Sequence, residues 1–288
     1  MEQYLSIVDE ILTKGKRKSN RTGVDTLVID GMIFKHDMSQ GFPLLTTKKM
    51  AHKSVRVELE GFIEGITDKK WFQDRGCTIW DEWGNPQKVH YGHDEKTRKK
   101  MREERDLGPI YGFQWRHFGA NYEGYEKSYE GEGIDQLKIA IETLRKDPGN
   151  RRQIVSAWNP KDLDKMALPP CHYAFHLTIT GNKLNLFWNQ RSVDTMLGLP
   201  FNIASYGVLN HLIAKELNIE SGNLIGFLDD SQIYVNHINE AKEQLKRKPF
   251  QLSKIETKDF TSIYNWQHNH TKFIDYQHHP LIKFDIAI

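Results

Sequence analysis

Cysteine is scarce in this chain of 288 residues, with only Cys77 and Cys171 present. One pair in so long a chain does not make a secreted disulfide framework, so each is judged as a free thiol. Long apolar runs are missing too. Met1 to Leu12 mixes Glu2, Asp9 and Glu10 among its apolar residues, unlike the unbroken stretch of a signal peptide, and no segment reads as membrane-spanning. A cytoplasmic location is the expectation. Neither sign of charge dominates: 40 Lys plus Arg stand against 38 Asp plus Glu, a net charge of +2. That balance argues against nucleic-acid wrapping or membrane attraction, so any anion site has to be local. Repeats and low-complexity tracts are absent as well. What is present, 38% hydrophobic and 11% aromatic residues, suffices for one sizeable core or two small ones, and a single domain over 1–288 is the economical reading.

Tyr4, Leu5, Ile7, Val8, Ile11 and Leu12 recur at helical spacing, and Gly15 is placed to end that helix in a left-handed conformation. Thr26 to Phe34, rich in Val, Ile and Phe around a glycine, predicts a pair of strands or one bulged strand. Val55 to Ile63 reads as helix. The segment at about 84–106 is a mixed-charge insertion, expected to be a solvated helix and not a nucleic-acid arm. Gly119 to Gly133, with Tyr122, Tyr125 and Tyr129, reads as a surface loop. Ile134, Leu137, Ile141 and Leu144 trace one helical face stopped by Pro148 and Gly149. Tyr173 to Ile179 and Leu184 to Trp188 flank Gly181-Asn182 and predict a hairpin, on which helices at 202–217 and 235–248 pack. The fold class expected is α+β, with a mixed, largely antiparallel sheet packed with helices.

Three groups of residues could carry chemistry. Cys171 follows Pro169-Pro170, which stiffen its approach, and precedes His172; a nucleophile needs that rigidity, and also cations or donors to lower the thiol pKa. Arg191 is a candidate for that task. A buried, inert thiol stays open on these residues alone, and is the plainer reading for Cys77. Arg151-Arg152 and Gln190-Arg191-Ser192 supply guanidinium groups and a hydroxyl near strand ends, the donor set a phosphate monoester takes, although ordinary ion pairing would also use them. Asn202, in Gly198-Leu199-Pro200-Phe201-Asn202, offers an acceptor and donors, or a plain helix cap.

Seven motifs stand in order along the chain: Asn20-Arg21-Thr22-Gly23, Phe42 to Lys48, Ile79-Trp80-Asp81-Glu82-Trp83, Leu107 to Gly112, Arg151-Arg152, Ala167 to His172, and Gln190 to Tyr206. Together they make the chain resemble the thymidylate synthase family. The resemblance runs from Tyr4 to Ile288 and implies conversion of dUMP to dTMP with 5,10-methylenetetrahydrofolate as one-carbon and hydride donor, and no metal. It implies Cys171 as the nucleophile that adds to C6 of the uracil and makes C5 electron-rich. Glu58 is implied as the acid and base, with Tyr111 and His172 completing its polar network.

For the substrate, the resemblance implies phosphate binding by Arg21, Arg191 and Ser192, joined by Arg151 and Arg152 of a second copy in a symmetric homodimer. Gln190 would also bind the substrate, Asn202 would read the edge of the pyrimidine, and Gln232 and Tyr234 would meet the sugar. Ile79, Trp80, Trp83, Leu168, Leu197, Gly198 and Phe201 would line the folate, with Asp194 bonding its pterin and Lys48 near its glutamate tail. Ile286-Ala287-Ile288 would close over both ligands and exclude water.

Departures from the family pattern stand at three places. Gln232 replaces the usual His before the sugar-binding tyrosine. Glu58-Leu59-Glu60-Gly61 lacks the aromatic three residues beyond the acid, and its Glu60 is similar to nucleotide hydroxymethylases, so a dUMP hydroxymethylase is the alternative activity. The charged insertion is the third. A nucleic-acid-binding module built on that insertion is the alternative from another class.

Overall fold

The computed structural model describes residues 1–285. Along the chain come α1 (Glu2–Lys14), β1 (Lys16–Lys18), β2 (Thr26–Asp37), α2 (His52–Glu64), α3 (Lys69–Asp74), α4 (Glu95–Glu103), α5 (Tyr111–His117) and α6 (Gln136–Lys146). There follow β3 (Ile154–Ser156), β4 (His172–Thr180), β5 (Lys183–Asp194), α7 (Gly198–Leu217), β6 (Glu220–Tyr234), α8 (Ile238–Leu245), β7 (Lys254–Thr257) and β8 (Thr271–Ile274). Helices and strands are thus mixed, with antiparallel β1–β2, β2–β6 and β3–β4 pairs and a parallel β5–β6 pair, the α+β class expected. Contacts divide the chain into two compact units. One comprises Met1–His52, Ile179–Lys258 and Thr271–Ile288, the other Lys53–Thr178 and Asp259–His270.

In the first unit the strands run in the order β1-β2-β6-β5. A parallel pair cannot be closed by a tight turn, and α7 is the crossover that joins β5 to β6. This helix of 20 residues is buried on nearly every side, from Leu199 to Ala214, which is why its sequence shows little amphipathic period. Asn210 Nδ2 ties it to β5 by donating to the Leu184 carbonyl at 3.1 Å, and Tyr206 stacks on Trp188 at 5.4 Å. It stops at Asn218, left-handed with φ 55°.

Gly15, by contrast, is not left-handed. Its φ is −60° and ψ 141°, because the chain passes straight from α1 into β1. Glycine is needed there for closeness: a Cβ would stand 2.3 Å from the Ile11 carbonyl oxygen. β2 is one strand with no bulge, since pairing to β6 keeps the same register from Asp30↔Asp230 to Met32↔Leu228 across Gly31. The last predicted helix begins as a 3-10 turn at Val235–His237 before α8.

The second unit is mostly helical. Leu137, Ala140, Ile141 and Leu144 form the buried face of α6, while Ile134 precedes the helix and is exposed. Arg116 of α5 holds Asp135, the α6 cap, through Nε at 3.0 Å and Nη2 at 2.8 Å. The loop at 119–133 is anchored by its tyrosines: Tyr122 and Tyr129 pack edge-on against Phe113 at 5.0 Å and 4.9 Å, and the Tyr122 hydroxyl donates to Asp106 at 2.6 Å. The insertion does contain a helix, α4, capped by the Asp94 side chain on the Thr97 N–H. No helix among the described residues is long and apolar enough to cross a membrane.

Candidate active site

Cys171 lies half-buried immediately before β4, and its backbone N–H donates to the Tyr111 hydroxyl oxygen at 2.9 Å. The bend carrying the thiol is thereby fixed from α5. Tyr111 sits in a ring stack, with Phe62 on one side at 4.8 Å and His172 at 4.4 Å. Burial pushes the His172 imidazole down to about 3, so it is neutral at physiological pH and cannot be the cation that activates the thiol. Phe62 escaped the sequence reading, although its place four residues after Glu58 puts both on one face of α2.

Glu58 is buried in that helix and accepts a hydrogen bond from the Trp80 indole nitrogen at 3.0 Å. Desolvation raises its carboxyl to about 7, against the lowering effect of the Trp80 donor. A carboxyl so poised exchanges protons near neutral pH, which is what an acid-base catalyst requires. Trp80 is 4% exposed and packs edge-on to Phe62 and Tyr111, so core packing and contact with the carboxyl are the same arrangement. Cys77 is fully buried, and burial with the nearby Glu58 charge pushes its thiol up to about 12, which leaves it inert. Trp83 is half-buried, stacked on Tyr91 at 5.9 Å, while Ile79 is exposed and Leu168 half-buried.

The first unit holds a second cluster at the end of β5. Gln190, Ser192 and Asp194 alternate along the strand and share one face. The Trp188 indole donates to Gln190 Oε1 at 3.1 Å, and Gln190 Nε2 donates to the Ser192 carbonyl at 3.1 Å and to Asn202 Oδ1 at 3.0 Å. Indole can only donate and a backbone carbonyl can only accept, so the amide of Gln190 has one orientation and the nitrogen of Asn202 is turned away from it. The sequence places Trp188 only at a strand end, although its position two before Gln190 puts it on the same strand face as the site. Asn202 is not a cap: it lies inside α7, which begins at Gly198.

Asp194 Oδ1 accepts the N–H groups of Met196 and Leu197, each at 3.1 Å, while burial pushes its carboxyl above the usual range. Lys48 is buried, its ammonium donating to the Met196 carbonyl and lying 4.6 Å from the centre of the Phe284 ring, and desolvation lowers it to about 8. Gln232 Nε2 reaches Ser192 Oγ at 3.4 Å, and Tyr234 is buried beside it in β6. Leu197 precedes Gly198 and Phe201 at the opening of α7. Arg21, Arg151 and Arg152 are exposed, Arg191 is half-buried, and Ala287 lies outside the described residues.

The family sequence model described as "Thymidylate synthase" matches residues 2–288. The chain belongs to the thymidylate synthase family. A "Thymidylate synthase" of Mycoplasma mobile is 42% identical over 304 residues, covering all of both chains. A "Thymidylate synthase 1/2" of Encephalitozoon cuniculi is 41% identical over 290 residues, covering 99% of this chain and 96% of that protein. A "Bifunctional dihydrofolate reductase-thymidylate synthase" of Paramecium tetraurelia is 40% identical over 286 residues, and there the chain spans 61% of the longer protein. These names do not favour the hydroxymethylase alternative.

Nor does the surrounding of Glu60 resemble a water-admitting pocket. Glu60 is 3% exposed and accepts both the backbone N–H of His268 at 2.8 Å and its Nδ1 at 2.6 Å. A Cβ on Gly61 would stand 2.3 Å from the Phe72 ring, so a ring from α3 lies directly over that position. Replacing Glu60 by Gln is expected to cost about 1–2 kcal/mol of stability, read by denaturant unfolding, while the methylated product persists.

Proposed function

We propose that the chain methylates dUMP to dTMP, with 5,10-methylenetetrahydrofolate supplying the one-carbon unit and the hydride. The observation that carries this reading is the family match over residues 2–288, joined to a fixed, half-buried Cys171 and a carboxyl at Glu58 poised near neutral pH. The Cys171 thiolate adds to C6 of the uracil, and C5 becomes the electron-rich carbon that takes the one-carbon unit. Arg191 lowers the thiol pKa and, with Arg21 and Ser192, holds the phosphate. Glu58 moves protons at O4 and C5, backed by Tyr111 and a neutral His172. Gln232 and Tyr234 hold the sugar. Asp194, Ile79, Trp80, Trp83, Leu168, Leu197, Gly198 and Phe201 take the folate, with Lys48 toward its tail and Ala287 in the closing segment. No group of three or more His, Cys, Asp or Glu side chains among the described residues is arranged to hold a metal ion.

A homodimer completes the phosphate site in this reading, with Arg151 and Arg152 supplied by the second copy. Exposed apolar surface on the sheet supports it: Ile33 and Phe227, direct partners across β2 and β6, are 60% and 39% exposed, and Phe187 stacks on Phe227 at 6.4 Å. The chain works as one catalytic domain over 1–288 in the cytoplasm.

Purified protein given dUMP and methylenetetrahydrofolate should form dihydrofolate, followed by absorbance, and a nucleotide with the mass of dTMP. Hydroxymethyl-dUMP with tetrahydrofolate would overturn the assignment in favour of the hydroxymethylase. The orientation of Asn202 gives a second test. With its oxygen engaged by Gln190, its nitrogen is presented as a donor that fits the O4 carbonyl of uracil and not the amino group of cytosine. Asn202→Asp is therefore expected to lower kcat/KM for dUMP by up to roughly 10⁴-fold and to gain activity on dCMP, measured on both nucleotides.

A further inference from the structure

The charged insertion packs against the segment that carries Trp80 and Trp83, and that segment is held at every residue. The Trp80 indole meets Glu58 at 3.0 Å, and Gln73 donates to the Asp81 carboxylate at 2.9 Å. Glu82 is gripped by two guanidinium groups of α4, Arg98 at 3.0 Å and Arg102 at 3.1 Å, four residues apart and so on one helix face. Arg102 also pairs with Glu95, which fixes its own position. Lys69, 1% exposed, donates to the carbonyls of Trp83 at 2.8 Å, Met101 at 2.7 Å and Asp81 at 3.4 Å. All three protons of a buried ammonium are thus spent on joining the tryptophan segment to α4, and separating the two would strand a charge. Met101 is the buried residue of α4.

We propose that the insertion is a positioning element for the folate wall, with Arg98 and Arg102 holding Glu82 so that Trp80 and Trp83 present one fixed surface to the cofactor. This rests on the assignment of Trp80 and Trp83 to the folate. Both arginines bond Glu82, and each acts through it. A single partly exposed ion pair contributes little, but two on one carboxylate with ordered partners act as a network. The charges of α4 then serve fit, not solubility alone.

The test is the double variant Arg98→Ala with Arg102→Ala. KM for methylenetetrahydrofolate is expected to rise about fivefold, the scale of such a network, while KM for dUMP and kcat stay within about twofold. Hydrogen exchange of the ligand-free chain should quicken at residues 78–85 and stay unchanged in α7. Arg98→Lys with Arg102→Lys, which keeps the charge and loses the bidentate fork, should restore part of the KM. Should the alanine variant fail to fold, Glu82→Gln serves instead, with the same KM and exchange changes expected. An unchanged folate KM with unchanged exchange at 78–85 overturns the proposal. If the unaltered chain makes no dTMP, the functional reading itself fails, and the exchange experiment still decides whether α4 braces the segment.

Discussion

Replacing Cys171 by serine is expected to lower turnover by at least roughly 10⁴-fold while leaving the melting temperature within a few degrees. A hydroxyl is far less acidic than a thiol, so at neutral pH almost none is ionised to attack C6. The fold should tolerate the change, because the bond that fixes this bend runs from the backbone N–H to Tyr111 and does not involve sulfur. Cys77 offers no bypass, being fully buried with its thiol pushed up to about 12. Dihydrofolate formation at saturating substrates measures the loss. Residual activity above about a tenth of the native value would mean that Cys171 is not the nucleophile.

Glu58→Gln should separate activity from stability. Turnover is expected to fall by roughly 10²–10⁴-fold, since Gln can still accept the Trp80 hydrogen bond but cannot carry a proton. Stability should move the other way at high pH. The folded carboxyl sits at about 7 and an unfolded one near 4.5, so the native state binds the extra proton between these values. Its stabilising effect is therefore full below 4.5, is lost as pH rises to 7, and stays lost above, a difference of roughly 3 kcal/mol by linkage. Gln mimics the neutral acid at every pH. The variant should thus unfold at higher denaturant than the native chain at pH 8, with the gap shrinking as pH falls toward 4.5. An equal gap at both pH values would show that Glu58 does not titrate near 7.

The elements that bury one stripe were legible from period alone. α1 shows its stripe at Tyr4, Ile7, Val8 and Ile11, and these four are the buried residues. Where several causes converge on one residue, pattern was not enough. Ile134 looked like a turn of α6 because it sits three before Leu137, yet it precedes the cap at Asp135 and faces solvent. Glycine at 15 signalled an end to the helix correctly but not the reason, which is a close approach to the Ile11 carbonyl and not a left-handed turn.

Within the candidate site, the motifs mark the residues, and the structure adds their states. The sequence placed an imidazole beside Cys171, but only burial among rings makes it neutral. Glu60 looked like a functional departure, and its partner is 208 residues away at His268, a distance no local pattern spans. The orientation of Asn202 depends on Trp188, fourteen residues earlier on a strand, through Gln190. Such dependence is carried by strand alternation and by the donor-only chemistry of indole, neither of which a motif records.

The most direct measurement is mass spectrometry of the chain after incubation with 5-fluoro-dUMP and methylenetetrahydrofolate. Fluorine at C5 cannot depart as a proton would, so chemistry of the proposed kind halts with nucleotide and folate both attached. A mass gain equal to the sum of the two ligands is expected, located on the peptide containing Cys171 and absent from Cys171→Ser. No gain, or a gain on the peptide containing Cys77, would contradict Cys171 as the nucleophile.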